Sequence, residues 1–219
     1  MMRHDEPIPL DLFEREQRTT LLQPGAMLLG NFAAPDAETL LTEIGRIEAA
    51  APCRNMVTPG GRVMSVAMTN CGSVGWVTDR TGYRYDPLDP KTCEPWPAMP
   101  ETFFRLAERA AEIAGYFGFK PDSCLINRYE PGSRLSLHQD RNERDFDAPI
   151  VSVSLGLPAT FLWGGDARGD KPMRIRLFHG DVVVWGGSAR LAFHGVDTLR
   201  GGVSPAGAYR YNLTFRIAQ

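Results

Sequence analysis

The sequence predicts a mainly β domain of the α+β class, in which helices precede an antiparallel sandwich or jelly roll. Helical periodicity is confined to the first half of the chain. Past Pro121 the chain breaks into short runs rich in β-branched and aromatic residues, each bounded by Gly, Pro, Asn or Asp. Because no helical pattern separates these runs, a parallel βαβ fold is not favoured. At 219 residues and 43% apolar content, we expect one domain with a substantial core.

The N-terminal half carries two predicted helices. Residues 1–23 are mostly charged and polar, so we expect a flexible segment that runs over the surface. From Pro35 and Asp36, apolar residues recur at helical spacing until Pro52 ends the pattern. A second helix is predicted over Glu101–Ala114, ended by Gly115.

Strands are predicted between the helices and throughout the second half. Arg62–Thr69 is the first of them, and Gly72–Trp96, with several aromatic residues and prolines, is predicted to be a long, turn-rich surface loop. Six further short strands follow: Cys124–Tyr129, Ile150–Leu157, Arg174–Phe178, Val182–Trp185, Arg190–Val196 and Tyr209–Ile217. We find no internal repeat and no low-complexity tract.

Charge and cysteine content restrict the class of protein. The net charge of −2 shows no basic excess, so a nucleic-acid partner would need a local patch. No apolar run is long enough to cross a bilayer, and no signal-peptide pattern is present. The cysteines, none of which form a C-x-x-C pair, are expected to be reduced thiols: Cys53, Cys71, Cys93 and Cys124. These features predict a cytoplasmic protein without a membrane partner.

A metal site is predicted from His138, Asp140 and His194. Alternate side chains of an extended segment point to the same side, so His138 and Asp140 can both reach one ion. On a later predicted strand, Leu191 and Phe193 alternate with His194, which is expected on the face opposite to them. Two imidazoles and one carboxylate bind Fe(II) and leave three positions open. A surface hydrogen-bonded His-x-Asp pair is the alternative interpretation.

The last predicted strand suggests an anion site. Its polar and apolar residues fall on opposite faces: Arg210, Asn212, Thr214 and Arg216 on one, Tyr211, Leu213 and Phe215 on the other. Two inward-facing guanidiniums are costly unless an anion meets them. A dicarboxylate suits both planar groups. The alternative is a pair of arginines on a solvated sheet face.

These residues occur beside three longer strings that resemble one known family. The strings are Asn127-Arg128-Tyr129, Met64–Asn70 and Gly180–Gly187. Together with the predicted metal and arginine residues they are similar to the bacterial AlkB dioxygenases, which are Fe(II)- and 2-oxoglutarate-dependent enzymes that repair alkylated nucleic acids. The resemblance extends from about residue 21 to the C-terminus.

The resemblance implies a double-stranded β-helix (jelly roll) catalytic core over residues 121–219. An extension over residues 24–120 would carry helices and a nucleotide-recognition lid. His138, Asp140 and His194 would be the catalytic Fe(II) ligands, and O2 would bind beside 2-oxoglutarate. The residues implied for 2-oxoglutarate are Asn127, Arg128, Tyr129, Arg210, Asn212, Thr214 and Arg216, with Arg210 on the distal carboxylate and Arg216 near the proximal one.

The resemblance also implies a substrate and the residues that contact it. The reaction would demethylate 1-methyladenine and 3-methylcytosine in DNA, with RNA left open, and would release formaldehyde, succinate and CO2. We expect single-stranded DNA to be favoured, because the target base must leave the stack, and we expect a monomer. The residues implied for substrate are Met68, Trp76, Tyr83, Arg84, Tyr85, Asn142 and Arg168. A hydrophobic mini-cluster is the alternative interpretation of the aromatic loop.

One position departs from the family pattern. After His138-Gln139-Asp140 the repair enzymes often have a basic residue, then Asp, then Glu, whereas this chain has Arg141-Asn142-Glu143. The Asn142 amide offers no formal negative charge to a cationic methylated base. We therefore expect adenine lesions to be affected more than cytosine lesions.

Two other function classes stay open from the sequence. One is an oxygenase of the same chemistry that acts on a protein or a small molecule. The other is a binding module or oxygen sensor that keeps the fold without turnover.

Overall fold

The computed structural model describes residues 16–219. Residues 1–15, which hold most of the predicted flexible segment, lie outside the described residues. The described chain forms two α-helices, α1 (Ala37–Ala50) and α2 (Glu101–Ile113). It also forms fourteen strands: β1 (Arg18–Gln23), β2 (Ala26–Gly30), β3 (Arg54–Val57), β4 (Val63–Gly72), β5 (Gly75–Asp79), β6 (Gly82–Asp86), β7 (Ser123–Tyr129), β8 (Leu135–His138), β9 (Ile150–Gly156), β10 (Ala159–Trp163), β11 (Met173–Leu177), β12 (Val182–Trp185), β13 (His194–Val196) and β14 (Arg210–Arg216).

Three antiparallel sheets organise these strands. The largest has the order β1-β2-β12-β9-β14-β7-β4-β3, and a four-stranded sheet has the order β11-β10-β13-β8. A separate hairpin pairs β5 with β6. Residues of both larger sheets contribute to one buried cluster, so the two sheets pack face to face. The mainly β jelly roll predicted from the sequence is confirmed.

Each face of the eight-stranded sheet packs against a different layer, and strand β12 is apolar on both faces. On β12, Val182 and Val184 belong to the cluster that includes the helices, whereas Val183 and Trp185 belong to the cluster between the sheets. This is the alternation expected of a pleated strand buried on both sides. The helices therefore cover one face and leave the other to the cavity described below.

Both helices lie where the periodicity predicted them. In α1 the apolar positions Leu40, Ile44 and Ile47 are buried, and the helix ends two residues before Pro52. A proline disfavours the helical conformation of the residue before it, and Ala51 accordingly has non-helical backbone angles. In α2 the chain leaves the helix at Ala114, and Gly115 adopts a positive φ of 89°.

Three predictions for local structure are wrong. The flexible segment was expected to reach residue 23, but Arg18–Gln23 is an edge strand paired with β2. Much of Gly72–Trp96 is the β5–β6 hairpin rather than an irregular loop. The predicted strand Arg190–Val196 is extended only from His194, because a 3-10 turn over Gly187–Ala189 precedes it and Ala192 bonds back to Ala189.

All four cysteines lie in the described part of the chain, and all are free thiols. Over residues 16–219 neither helix is long and apolar enough to cross a membrane.

Candidate metal and cosubstrate site

A cavity of about 580 Å³ opens between the two larger sheets. Side chains of both sheets line it. The eight-stranded sheet contributes Met68, Leu125, Asn127, Tyr129, Ser152, Trp185, Asn212, Thr214 and Arg216. The four-stranded sheet contributes Leu135, Ser136, Leu137, His138, Phe161, His194, Gly195 and Val196. The cavity therefore lies in the mouth of the jelly roll, where the predicted metal ligands meet the polar face of β14.

Strand pairing brings the two predicted histidine ligands together. β8 and β13 are antiparallel, and His194 lies directly opposite His138, with the ring centroids 4.4 Å apart. The register is irregular between His194 and Val196, at Gly195. A Cβ on Gly195 would lie 2.7 Å from the backbone oxygen of Leu135. Only glycine lets the two strands approach this closely.

Asp140 completes a group of three ligands. Its Oδ1 lies 3.6 Å from His138 Nε2, and its Oδ2 lies 3.6 Å from His194 Nε2. One ligand atom from each residue lies within 4.8 Å of the others. One metal ion with bonds of about 2 Å fits between atoms at this spacing. Two imidazole nitrogens and a carboxylate are the donor set of non-haem Fe(II) oxygenases.

Backbone contacts fix the tautomer of both histidines. His138 Nδ1 lies 2.9 Å from the Ser136 carbonyl, and His194 Nδ1 lies 3.0 Å from the Ala192 carbonyl. A carbonyl accepts only, so each Nδ1 carries the proton and each Nε2 offers a lone pair to a metal. Burial and the neighbouring His194 lower the pKa of His138 to about 4. The His138 imidazole is therefore neutral at pH 7, as a metal ligand must be.

The carboxylate of Asp140 is held ionised by a cation. Burial raises its pKa, but Arg216 and the two imidazoles lower it more, and the net pKa lies well below the usual value. Arg216 Nη2 donates to Asp140 Oδ2 at 2.6 Å, and Nε donates to the same oxygen at 3.2 Å. The other guanidinium nitrogen, Arg216 Nη1, is buried without a hydrogen-bond partner among residues 16–219. A ligand oxygen beside the metal would satisfy it.

The polar residues of β7 and β14 form a hydrogen-bonded floor. Asn127 Nδ2 donates to Asn212 Oδ1 at 3.2 Å, and Thr214 Oγ1 donates to the same oxygen at 3.0 Å. Asn212 Nδ2 donates in turn to Ser152 Oγ at 2.8 Å. Asn127 Oδ1 is buried and has no partner within the described chain. The floor thus keeps an acceptor available to a bound polar molecule.

Arg210 is a buried cation at the far end of β14. It is 1% exposed and donates to neutral oxygens, Ser154 Oγ at 3.1 Å and the Tyr211 carbonyl at 3.2 Å. Its Nε has no partner in residues 16–219, and burial lowers its pKa. Arg210 Cζ lies 5.6 Å from the ring centroid of Tyr129, which lines the cavity. An anion that reached this guanidinium would offset the cost of its burial.

Arg128 is the one predicted cosubstrate residue that points away from the cavity. It lies between Asn127 and Tyr129 on β7, so its side chain is on the opposite face of the sheet. There Arg128 Nη1 donates to Glu48 on α1 at 2.8 Å. The contact of Arg128 with 2-oxoglutarate stays a prediction that this placement does not support, because the period of a strand sends adjacent side chains to opposite faces.

The β5–β6 hairpin, residues 75–86, stands at the mouth of the cavity, and we call it the lid hairpin. Trp76 and Tyr83 line the cavity, and their rings are stacked with centroids 5.8 Å apart. Trp76 Nε1 donates to Asn142 Oδ1 at 3.2 Å. Met68 also lines the cavity, as does the exposed Arg168, whose Cζ lies 5.7 Å from the Phe193 ring centroid.

Two predicted substrate residues on the lid hairpin have structural partners instead. Arg84 donates to Asp79 at 2.9 Å and to Asp86 at 3.3 Å, so it joins the two ends of the hairpin. Tyr85 directs its hydroxyl to Glu143 Oε1 at 2.5 Å. Neither residue lines the cavity. Their contact with substrate therefore stays a prediction that the cavity lining does not support.

Sequence reasoning missed three residues that shape the site. Glu143 and Arg190 form a buried ion pair beside Asp140, and Gly195 permits the close approach of β8 and β13. Glu143 was noticed only as part of a pattern, and Arg190 was assigned to a strand. Gly195, next to a predicted ligand inside a predicted strand, is the signal that could have been used.

Comparison with known proteins gives the same picture. Residues 25–216 match the family model described as the 2OG-Fe(II) oxygenase superfamily. The chain is 56% identical over 211 residues to the alpha-ketoglutarate-dependent dioxygenase AlkB of Escherichia coli K12, covering 95% of this chain and 98% of that protein. It is 30% identical to the DNA N(6)-methyladenine demethylase ALKBH1D of Arabidopsis thaliana, covering 93% of this chain and 51% of that protein. Among solved structures, that of OsALKBH1 superposes with a TM-score of 0.77 at 29% identity, covering 91% of this chain and 99% of that one.

Proposed function

The chain belongs to the AlkB family of the 2OG-Fe(II) oxygenase superfamily, and from this membership we propose that it repairs nucleic acid by oxidative demethylation. It is a dioxygenase that uses Fe(II), 2-oxoglutarate and O2. We propose 1-methyladenine and 3-methylcytosine in DNA as substrates. The Arabidopsis relative is named a DNA demethylase, and a relative in Schizosaccharomyces pombe is named a tRNA demethylase, so RNA is a second substrate class to test.

One observation carries the proposal: a single cavity combines a metal-ligand triad, an aromatic lid, and a polar floor beside Arg216 Nη1, a donor without a partner in the described chain. The triad and floor suit the oxidation, and the stacked Trp76 and Tyr83 suit a planar base. A small-molecule oxygenase has no need of a stacked aromatic pair at the cavity mouth. The lid therefore favours a flipped nucleobase over the alternative substrate classes.

Different side chains would bind the metal and the cosubstrate. His138, Asp140 and His194 would hold Fe(II), and Arg210 and Arg216 would bind the two carboxylates of 2-oxoglutarate over the floor formed by Asn127, Tyr129, Asn212 and Thr214. When bound, iron and 2-oxoglutarate supply an oxidation by O2 that adds one oxygen atom to the N-methyl group and another to the cosubstrate, which leaves as succinate and CO2. The hydroxymethyl group then departs as formaldehyde and restores the base.

The protein's own contribution is to orient the base and exclude water. Trp76 would stack on the base, and Met68 lies beneath the lid as an apolar wall. Arg168 and Arg141, which are exposed and line the cavity, supply positive charge for a phosphate despite the net charge of −2. Arg141 was not among the residues predicted from the sequence.

We further propose that the enzyme works in the cytoplasm as a monomer and favours single-stranded DNA, in which base extrusion costs least. Residues 24–120 and 121–219 are proposed to act as one domain. Strands from both segments pair within the eight-stranded sheet, which supports this proposal.

The function is tested by formaldehyde release and base restoration from a 3-methylcytosine oligonucleotide with Fe(II), 2-oxoglutarate and O2. We expect repair by the wild type and none by His138→Ala. If the wild type consumes 2-oxoglutarate in a His138-dependent way but repairs no oligonucleotide, the nucleic-acid proposal fails and the substrate is a protein side chain or a metabolite. If neither reaction occurs, the oxygenase assignment itself fails.

A further inference from the structure

We propose that Arg190, through its buried ion pair with Glu143, is a positioning residue for the metal ligand Asp140. The inference rests on the proposed function, because it takes Asp140 to be a ligand of Fe(II). Neither Arg190 nor Glu143 has been assigned a contact with the metal or with the cosubstrate.

Asp140 lies on a segment that has no regular structure. Residues 139–149 connect β8 to β9, and we call them the ligand loop. His138 and His194 are held in paired strands, whereas Asp140 has no strand partner. A metal carboxylate on an irregular loop needs other contacts to fix it, because metal affinity depends on the orientation of each ligand.

Arg190 supplies these contacts at three points of the ligand loop. Its Nη1 donates to the Asp140 carbonyl at 2.7 Å, and its Nε donates to the Ala148 carbonyl at 3.1 Å. Its Nη2 donates to Glu143 Oε2 at 3.1 Å. The Arg190 side chain is 3% exposed and that of Glu143 is 2% exposed. One guanidinium therefore links the beginning, middle and end of the loop.

Glu143 extends the network to both sides. Its Oε1 lies 3.4 Å from Arg216 Nε, the same guanidinium that donates to Asp140 Oδ2. The Glu143 Oε1 atom also accepts from the Tyr85 hydroxyl of the lid hairpin. Glu143 therefore connects the ligand loop to the lid hairpin through Tyr85, and to the Asp140 carboxylate through Arg216.

Two other roles for the Arg190–Glu143 ion pair fit the structure less well than the positioning of Asp140. One is to stabilise the fold alone, and the other is to bind a ligand directly. A pair kept only for stability has no reason to bond to the backbone of a metal ligand, and buried ion pairs contribute little net stability. A direct role in binding is not supported, because neither Arg190 nor Glu143 lines the cavity. Positioning is what the three-point contact achieves.

The test measures equilibrium binding of Mn(II), used in place of the oxidisable Fe(II), to the full-length protein, and then binding of 2-oxoglutarate to the Mn(II) complex. We expect Arg190→Met to weaken Mn(II) binding about 10-fold or more, as loss of an outer contact to a metal ligand does. Arg190→Lys should restore part of the affinity, because an ammonium group can reach some but not all of the three acceptors.

Arg54→Met is the matched control. Arg54 donates to both oxygens of the buried Asp89, at 2.8 and 2.5 Å, and bonds neither to the ligand loop nor to a residue of the triad in the described chain. The Arg54→Met variant should have a lower melting temperature and an unchanged affinity for Mn(II). Glu143→Gln, which keeps the shape of the side chain, serves as the second variant if Arg190→Met does not fold, and it too should weaken Mn(II) binding.

The outcomes separate this inference from the proposed function. Wild-type Mn(II) affinity in folded Arg190→Met, or in folded Glu143→Gln if the first variant fails to fold, would overturn the positioning role. An equal loss in Arg54→Met would overturn it as well, because the effect would then be general. His138→Ala should lose Mn(II) binding in every case. If it does not, the metal site itself has been assigned wrongly.

Discussion

The floor of the cavity and the lid hairpin are built in opposite ways. The floor lies on β7, β9 and β14, each of which has a hydrogen-bonded neighbour on both sides in the eight-stranded sheet. Within the described chain, β5 and β6 pair only with each other. Asn212 is 8% exposed, whereas Tyr83 is 49% exposed.

This difference separates chemistry from recognition. The groups that would meet the cosubstrate are held by buried hydrogen bonds, so their geometry is set before anything binds. The aromatic pair that would meet the base lies on a hairpin without a neighbouring strand among residues 16–219. Its attachments include the two bonds between the Trp76 backbone and the Asn70 side chain, the packing of Val77 in the core, and the bond from Tyr85 to Glu143. We therefore expect the lid hairpin to open more readily than the floor, as admission of a base requires.

Hydrogen exchange should show the largest contrast between the two regions. We expect amides of β14 to exchange only on global unfolding, and those of β5 and β6 to exchange at least about 100-fold faster through local opening. Tyr85→Phe removes the hydroxyl that bonds to Glu143, and it should accelerate exchange in the lid hairpin alone. Equal protection of β6 and β14 would show that the lid is as rigid as the floor.

Arg210→Met should separate cosubstrate binding from stability. Removing this guanidinium should weaken 2-oxoglutarate binding about 100-fold, the effect of losing one member of a buried charge pair. The melting temperature should stay the same or rise, because without ligand the Arg210 cation donates only to neutral oxygens in the described structure. Isothermal titration and thermal unfolding measure the two quantities, with Arg210→Lys as the charge-preserving control.

A large loss of stability in Arg210→Met would contradict this prediction. The buried charge would then be a structural element of the sheet rather than a group held ready for an anion.

Trp76→Ala should affect only recognition. Stacking of one base on an aromatic ring contributes about 1–3 kcal/mol, so we expect KM for a 3-methylcytosine oligonucleotide to rise about 5- to 150-fold. The affinity for 2-oxoglutarate should not change, and Trp76→Phe should recover part of the loss. If Trp76→Ala weakens 2-oxoglutarate binding as much as DNA binding, the two regions are not independent.

The sequence predicted the floor better than the lid for a physical reason. In β14 the alternation of polar and apolar residues follows directly from the pleat, and the structure assigns Tyr211, Leu213 and Phe215 to the helix-covered face as predicted. The lid hairpin lacks such a pattern, because Val77 of β5 packs into the core whereas Trp76 and Tyr83 line the cavity mouth. Its Trp and Tyr residues were recognised, but its strands were not.

Contacts between distant segments could not be read from the chain. Strand β2, Ala26-Met27-Leu28-Leu29-Gly30, has no β-branched residue, and its pairing with β1 and β12 makes it a strand. In the same way, Arg190 lies 50 residues from Asp140, and nothing local indicates that its guanidinium bonds to that carbonyl. Spacing indicated the ligands, but not the network that holds them.

Asn142 lies where the two regions meet, and its substitution should have the smallest effect. It follows the metal ligand Asp140 by two residues, and its Oδ1 accepts from Trp76 of the lid hairpin. Asn142→Asp would keep this acceptor and add a negative charge near a cationic methylated base. We expect turnover of 1-methyladenine to rise about fivefold relative to 3-methylcytosine, the difference between a neutral and a charge-assisted hydrogen bond.

Asn142→Ala is the matched control for this effect. It removes the contact with Trp76 without adding charge, so it should slow both substrates and leave their ratio unchanged. A ratio that moves toward adenine in Asn142→Ala, or stays fixed in Asn142→Asp, would mean that charge at this position does not select the base. Because Asn142 is bonded to the lid and belongs to the ligand loop, the ratio of two substrates isolates its effect on recognition from any shared effect on the metal.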